Sequence, residues 1–118
     1  MVKTITIDGR EVTFRASAAI PRLYRIKFGR DIFADIKDIE KAIKKKDDEC
    51  NDIPVALLTA FENTAYLMAK HADKNAVPEE SVEDWLDGFN TFSIYEIFPT
   101  IAELWALNNK TLETPKKK

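Results

Sequence analysis

The sequence contains little of the residue types that build disulfides, histidine sites and membrane spans. Cys50 is the single cysteine and His71 the single histidine, so one chain can form neither an internal disulfide nor a multi-histidine metal site. Cys50 lies in an acidic segment, where we expect an unreactive loop thiol. No apolar run approaches the ~20 residues that a bilayer-spanning helix needs, and the N-terminus lacks the apolar block of a signal peptide. We therefore expect a cytoplasmic protein that does not enter a membrane.

Motifs that mark common enzymes and cofactor proteins are also missing. There is no Gly-rich phosphate loop, no Ser-centred elbow and no paired-cysteine motif. Acidic residues cluster around the predicted start of a helix, where negative charge is favourable, and they lack the calcium loop of an EF-hand. These residues are Glu79, Glu80, Glu83, Asp84 and Asp87. We expect no catalytic residue, no metal and no cofactor, and we interpret His71 as a favourable partner for a helix dipole.

What the sequence does contain is typical of one folded domain. Its 118 residues are 45% hydrophobic and 32% charged, and the net charge of −2 gives no overall attraction to DNA or to a membrane. A chain of this length can bury a single core. We predict one domain over residues 1–112, followed by a disordered basic tail over 113–118.

Two segments near the N-terminus, 2–7 and 11–15, are rich in β-branched residues and flank Asp8-Gly9. An Asp-Gly pair between two such segments predicts a β-hairpin. Val2, Ile5 and Ile7 cannot share one face under strict alternation, so we expect a local irregularity or two partly covered faces. A hairpin alone is marginal in water, which makes its edges candidate contacts for a second copy of the chain.

The longest segment with helical periodicity, 54–72, is predicted as the helix around which the fold is organised. Its apolar residues recur at three- and four-residue spacing and form one face. Asp52 is its predicted N-cap, and Pro54 is placed in the first turn and on the buried face. The polar segment before it, 44–52, is predicted as an exposed loop.

The other helices are predicted from shorter apolar stripes and from start and stop residues. The first covers 17–28 and is ended by Gly29, and the second covers 31–45 and is capped by Asp31. After the organising helix, a short helix covers 82–89 and is begun by a capping box of Ser81 and Asp84. A last helix is begun by Ser93 with Glu96 and ended by Asn108-Asn109. Pro99 falls inside the last helix and predicts a kink or an offset first turn near Phe98. The whole pattern predicts an α+β, mainly α fold with an N-terminal β-hairpin followed by a compact bundle of about four or five helices.

Two sets of side chains are candidates for binding a partner. The aromatic residues exceed what a small core needs, and Trp85, Phe92 and Tyr95 are candidate interface anchors, because large aromatic side chains dominate binding where they escape burial. A basic cluster around a Gly turn is the basis of an alternative function, a small helical DNA-binding regulator. Its residues are Arg15, Arg22, Arg25, Lys27 and Arg30. The balancing acidic residues favour a solvated helix face instead.

Several separated blocks of the sequence carry a family resemblance when they are taken together. The blocks are FRASAAIPRLYR at 14–25, KFGRDI at 27–32, FENTAYLMAK at 61–70, WLD at 85–87, FSIYE at 92–96 and LW at 104–105. In order and spacing they resemble the tail assembly chaperone family of long-tailed (siphovirus-type) phages and prophages of Gram-positive bacteria. The resemblance covers nearly the whole chain, although no block is a chemical motif by itself.

That resemblance implies a protein of phage tail assembly that works in the host cell cytoplasm and is not an enzyme. Such chaperones are thought to bind the tape measure protein, to help recruit tail tube subunits and to be absent from the finished virion. Relatives are often made in two forms, the longer one by ribosomal frameshifting near the end of the short reading frame. The lysines 116–118 are consistent with a run of adenines at such a site, so a frameshift-extended form of the chain is a further expected partner.

Overall fold

The computed structural model describes residues 2–49 and 53–113 as a β-hairpin followed by five helices. The elements in chain order are β1 (Val2–Ile7), β2 (Arg10–Arg15), α1 (Ile20–Phe28), α2 (Ile32–Glu49), α3 (Val55–Ala72), α4 (Val82–Leu86) and α5 (Ile94–Glu113). The predicted α+β, mainly α fold is confirmed. The predictions for Cys50 and for the tail after Glu113 lie outside the described residues.

The hairpin closes through a two-residue turn at Asp8 and Gly9, whose φ angles of 52° and 81° are both positive. Positive φ at both central positions is the tight turn that Asp-Gly favours, so the predicted hairpin is confirmed. β1 and β2 pair antiparallel in an unbroken register. Neither expected alternative is found: β1 is regular, Val2 lies on its exposed face, and Ile5 and Ile7 share the one face that packs against the core.

α3 is the central element, because it packs against β2 and against each of the other four helices of the described chain. Phe61, Ala65 and Met68 on its buried side are at most 1% exposed, which confirms the predicted organising helix. Pro54 is the N-cap residue of α3, with φ −56° and ψ 143°, and it is exposed. The prediction of Asp52 as the N-cap is therefore wrong, because the helix begins later than that prediction requires. The predicted place of Pro54 on the buried face is also wrong, because an N-cap residue precedes the helical turns that carry that face.

Two helices extend beyond their predicted ends. α2 continues to Glu49, into the segment predicted as a loop, and α5 continues past Asn108-Asn109 to Glu113. Neither extension contains proline or glycine, and loss of apolar periodicity does not by itself stop a helix. None of the helices in the described ranges is both long enough and apolar enough to cross a membrane.

Two helices are shorter than predicted. α1 begins at Ile20 rather than at 17, because the Ser17 carbonyl accepts a hydrogen bond from the Ile20 backbone N–H at 3.1 Å and closes a turn there. α4 ends at Leu86 rather than at 89, before Asp87 and Gly88, which are poor helix formers.

The predicted caps are mostly found. Gly29 ends α1 in a left-handed conformation with φ 70°. The Ser81 hydroxyl accepts a hydrogen bond from the Asp84 backbone N–H at 3.1 Å and begins α4. α5 begins at Ile94 and runs through Pro99. The kink near Phe98 stays a prediction.

Candidate partner-binding groove

α2 and α5 form the two walls of a groove on one side of α3. Two adjoining cavities, of about 270 Å³ and about 360 Å³, lie between the helices, and Glu40 of α2 lines both. The first cavity is lined by Glu40, Ile43, Lys44, Tyr95, Phe98 and Pro99, and the second by Phe33, Ile36, Lys37, Glu40, Ala102, Trp105 and Ala106. Late residues of α2 thus lie opposite early residues of α5, so the two walls run antiparallel. We refer to these two cavities together as the groove.

Apolar side chains form the floor of the groove. Ile36, Phe98 and Trp105 are buried, and they connect the groove to the protein core. Phe33 is 48% exposed and Tyr95 is 43% exposed, and they are the two exposed aromatic residues among the described side chains. Phe33 packs edge-on against Trp105, with ring centroids 5.1 Å apart. The groove therefore gathers the aromatic surface that the described fold leaves open.

Charge is unequally distributed between the two walls. The α2 wall carries Lys37, Glu40 and Lys44, all exposed to solvent. The α5 wall contributes Pro99, Ala102 and Ala106 beside its aromatic residues, and none of its lining residues is charged. A partner in this groove would thus meet alternating charges on one side and an uncharged surface with room for larger side chains on the other.

A buried polar network holds the α2 wall in place. Asp35 is 2% exposed, and its carboxylate accepts two hydrogen bonds from the Arg30 guanidinium, at 2.8 and 2.7 Å, and one from the Tyr24 hydroxyl at 2.7 Å. The network joins the middle of α1 and the α1–α2 turn to the first turn of α2. It therefore fixes the direction in which α2 leaves the turn.

The same network settles the charge of its members. The hydrogen bonds from Arg30, followed by the one from Tyr24, hold the pKa of Asp35 below its ordinary value despite burial. Burial and the bond to Asp35 raise the pKa of Tyr24, and Asp35 raises the pKa of Arg30. Asp35 is thus an ionised structural group, and its partners leave it no role as an acid or base near neutral pH.

The tip of the hairpin holds the segment from which α5 begins. The Asp8 carboxylate accepts a hydrogen bond from the Asn90 backbone N–H at 2.7 Å. The Arg10 side chain donates to the Gly88 carbonyl at 3.3 Å and stacks over the Phe89 ring at 4.3 Å. Contacts between distant parts of the sequence therefore position the start of the α5 wall, whereas the α2 wall is held by residues close in sequence.

The structure separates the three predicted anchors. Trp85 is 1% exposed, so the expectation that it escapes burial is wrong: its ring packs between Tyr66 at 5.8 Å and Phe89 and Phe92 at 5.3 Å. We call these four residues the aromatic cluster. Phe92 is half-buried within the cluster, and Tyr95 is exposed in the groove. Trp85 and Phe92 are brought together, and Tyr95 faces a different part of the surface.

The basic cluster of the alternative function is divided in the same way. The Arg30 guanidinium is occupied by Asp35, and the Lys27 ammonium lies near the rings of Phe28 and Tyr66, at 5.9 and 5.7 Å. Arg15, Arg22 and Arg25 are exposed. No observation on the described residues favours DNA binding by this cluster.

His71 has a hydrogen-bond partner that its sequence interpretation does not include. Its Nε2 shares a hydrogen bond with the Ser17 hydroxyl at 2.9 Å, and partial burial together with the charge of Arg15 lowers its pKa. His71 does lie in the last turn of α3, as the helix-dipole interpretation requires, and its role as a partner for the dipole stays a prediction. Within the described part of the chain, no cluster of His, Cys, Asp and Glu residues could hold a metal ion.

Sequence reasoning does not find Phe33 or Asp35 as parts of this site. Both lie on α2, where apolar periodicity places Phe33 among core residues and gives Asp35 no role. The position of Asp35 between Ile32 and Ile39, three residues before it and four after it, is a signal of burial. No sequence signal shows that α2 and α5 lie side by side and leave a groove between them.

No protein-family model matches the chain, and no curated protein or solved structure is significantly similar to it. The resemblance to tail assembly chaperones therefore depends on the sequence blocks alone.

Proposed function

We propose that this protein is a phage tail assembly chaperone that binds a helical segment of the tape measure protein in the groove between α2 and α5. The observation that carries the proposal is the groove itself, whose apolar floor and half-exposed Phe33 and Tyr95 suit the apolar face of an amphipathic helix. A tape measure protein is a long, largely helical chain. Shielding such segments before assembly would keep it soluble.

The remaining parts of the proposal come from the resemblance. They are recruitment of tail tube subunits, absence from the finished virion, action in the host cell cytoplasm without enzymatic activity, and association with further copies of the chain or with a frameshift-extended form. The extended form has its own test in the gene: an adenine run at the codons of lysines 116–118 with an overlapping reading frame supports it. Lysine codons without such a run contradict it.

Co-expression of the protein with a fragment of the neighbouring tape measure gene tests the chaperone function. We expect the fragment to stay soluble and to co-purify with the wild-type protein. Tyr95→Asp, which places a charge in the groove, should abolish this effect. Ile26→Asp is the matched control, since Ile26 is a 70% exposed apolar residue that does not line the groove.

The outcomes separate the function from its site. A fragment that precipitates equally with and without the wild-type protein contradicts the chaperone function. A fragment that both variants keep soluble leaves the chaperone function standing and removes the groove as its site. Binding to duplex DNA that weakens steeply with salt would favour the regulator instead.

A further inference from the structure

The residues that line the groove repeat at a spacing of seven on both walls. On α2 the pairs are Phe33 and Glu40, Ile36 and Ile43, and Lys37 and Lys44; on α5 they are Tyr95 and Ala102, Phe98 and Trp105, and Pro99 and Ala106. Every lining residue belongs to such a pair. A seven-residue repeat over two turns is the periodicity with which one helix packs along another in a coiled coil.

This repeat defines the shape of the occupant. Each wall presents two layers of residues at matching heptad positions over about 17 Å, at the helical rise of about 1.5 Å per residue. A third helix lying along both walls, at the shallow crossing angle typical of heptad packing, would meet the same residue positions in both layers. An extended strand or an irregular loop would not match a spacing of seven.

Charges on the α2 wall add a pattern to this shape. Lys37 and Lys44 occupy the same heptad position, one repeat apart, and are both exposed. Glu40 lies between them at the heptad position of Phe33, so one layer of the wall is polar where the other is aromatic. Charged residues along a heptad seam favour one register of a partner helix, because a shifted partner would face like charges.

We infer that the groove selects a heptad-patterned amphipathic helix that carries two acidic residues seven positions apart on its α2-facing flank, with a basic residue between them. The acidic residues would pair with Lys37 and Lys44, and the basic residue with Glu40. The flank toward α5 would carry large apolar side chains, because Ala102 and Ala106 leave room there. This inference rests on the proposed function, and it specifies which segments of the partner are bound.

Two synthetic helical peptides with the same apolar seam test the charge pattern. The matched peptide carries Glu, Lys, Glu on the α2-facing flank, and the reversed peptide carries Lys, Glu, Lys there. Compensating residues on the outer face give both peptides the same composition and net charge. In a fluorescence anisotropy titration we expect the matched peptide to bind about tenfold more tightly, as expected for three attractive pairs against three repulsive ones.

A charge-reversed variant provides the decisive control. Lys37→Glu, Glu40→Lys and Lys44→Glu together should invert the preference between the two peptides. All three residues are exposed, so the variant should melt at the wild-type temperature by circular dichroism. Equal affinity for the two peptides, no binding of either peptide, or a preference that the variant leaves unchanged would each overturn the inference.

Two further measurements distinguish a failure of this inference from a failure of the chaperone function. If the charge-reversed variant keeps the tape measure fragment soluble as well as the wild type does, the chaperone function stands and the charge pattern fails. Sedimentation of the protein alone detects a second copy as occupant. A wild-type dimer that becomes a monomer in the charge-reversed variant would place another copy of this chain in the groove and would overturn the inference.

Discussion

The two aromatic-rich sides of the molecule differ in what covers them. The aromatic cluster of Tyr66, Trp85, Phe89 and Phe92 is sealed by α4 and by the segment after it, and the Tyr66 hydroxyl donates to the Glu79 carbonyl at 2.7 Å. The groove has an apolar floor of similar character, but no described element of the chain lies over it. Its walls consequently leave Tyr95 half-exposed.

This difference shows that aromatic content does not by itself identify a binding surface. A ring is core where the chain supplies another element to cover it, and it is available to a partner where the chain supplies none. Trp85 and Tyr95 lie only ten positions apart in the sequence and fall on opposite sides of this division. Substitutions on the two sides should therefore affect stability and binding differently.

Trp85→Ala should have the largest effect, on the closed side. Removing a fully buried indole that packs against three other rings should lower the free energy of unfolding by about 3–5 kcal/mol. Chemical denaturation of the purified variant measures the loss. Trp85→Phe, which keeps an aromatic ring in the cluster, is the control and should lose much less. A Trp85→Ala variant as stable as the wild type would show that the cluster is not sealed.

Arg30→Ala should have the next largest effect, because Arg30 belongs to the polar network that holds the start of α2 in place. It leaves the buried Asp35 carboxylate with Tyr24 alone, and we expect a loss of about 2 kcal/mol in the free energy of unfolding. Arg22→Ala, at an exposed position on α1, is the control and should cost less than about 0.5 kcal/mol. Equal losses for the two variants would contradict a special role for the Asp35 network.

The pH dependence of the same variant gives a second measurement. The pKa of Asp35 is lower in the folded protein than in the unfolded chain, so its contribution is present above the unfolded value of about 3.9. That contribution is lost as the pH falls through the folded pKa. The wild type should lose stability more steeply than Arg30→Ala on acidification below about pH 4. Parallel pH profiles would show that Arg30 does not set the pKa of Asp35.

The sequence predicted local structure well and surface geometry poorly. The Asp8-Gly9 turn and the end of α1 at Gly29 depend on residues that are adjacent in sequence, so the local sequence pattern predicts them. The groove depends on how α2 and α5 are placed, and the start of α5 is held by contacts such as Asp8 to Asn90, 82 residues apart. The burial of Trp85 likewise depends on which element covers it, and no local pattern contains that information.

A smaller effect is expected from His71, which lies in the last turn of α3. Its pKa is lower in the folded protein than in the unfolded chain, so the unfolded chain binds a proton more readily. The free energy of unfolding should therefore fall as the pH drops below about 6.5, by no more than about 1.4 kcal/mol per pH unit. Denaturation curves from about pH 7.5 to about pH 5.5 cover the range in which an imidazole gains its proton. They compare the wild type with His71→Gln, which should lack this fall. A wild type that gains stability on acidification would contradict this prediction and would favour the helix-dipole interpretation.

Tyr95→Ser should have the smallest effect on stability and a large effect on binding. Tyr95 is 43% exposed, so truncating it removes little buried area and should lower the free energy of unfolding by less than about 1 kcal/mol. Binding of the matched peptide or of a tape measure fragment should weaken about tenfold, because the ring would be one of the aromatic anchors of the groove. Phe92→Leu is the matched control: Phe92 belongs to the aromatic cluster, so that variant should lose stability and keep its affinity for the peptide. If Tyr95→Ser binds the peptide as well as the wild type does, while Phe92→Leu binds it more weakly, the partner binds at the aromatic cluster and not in the groove.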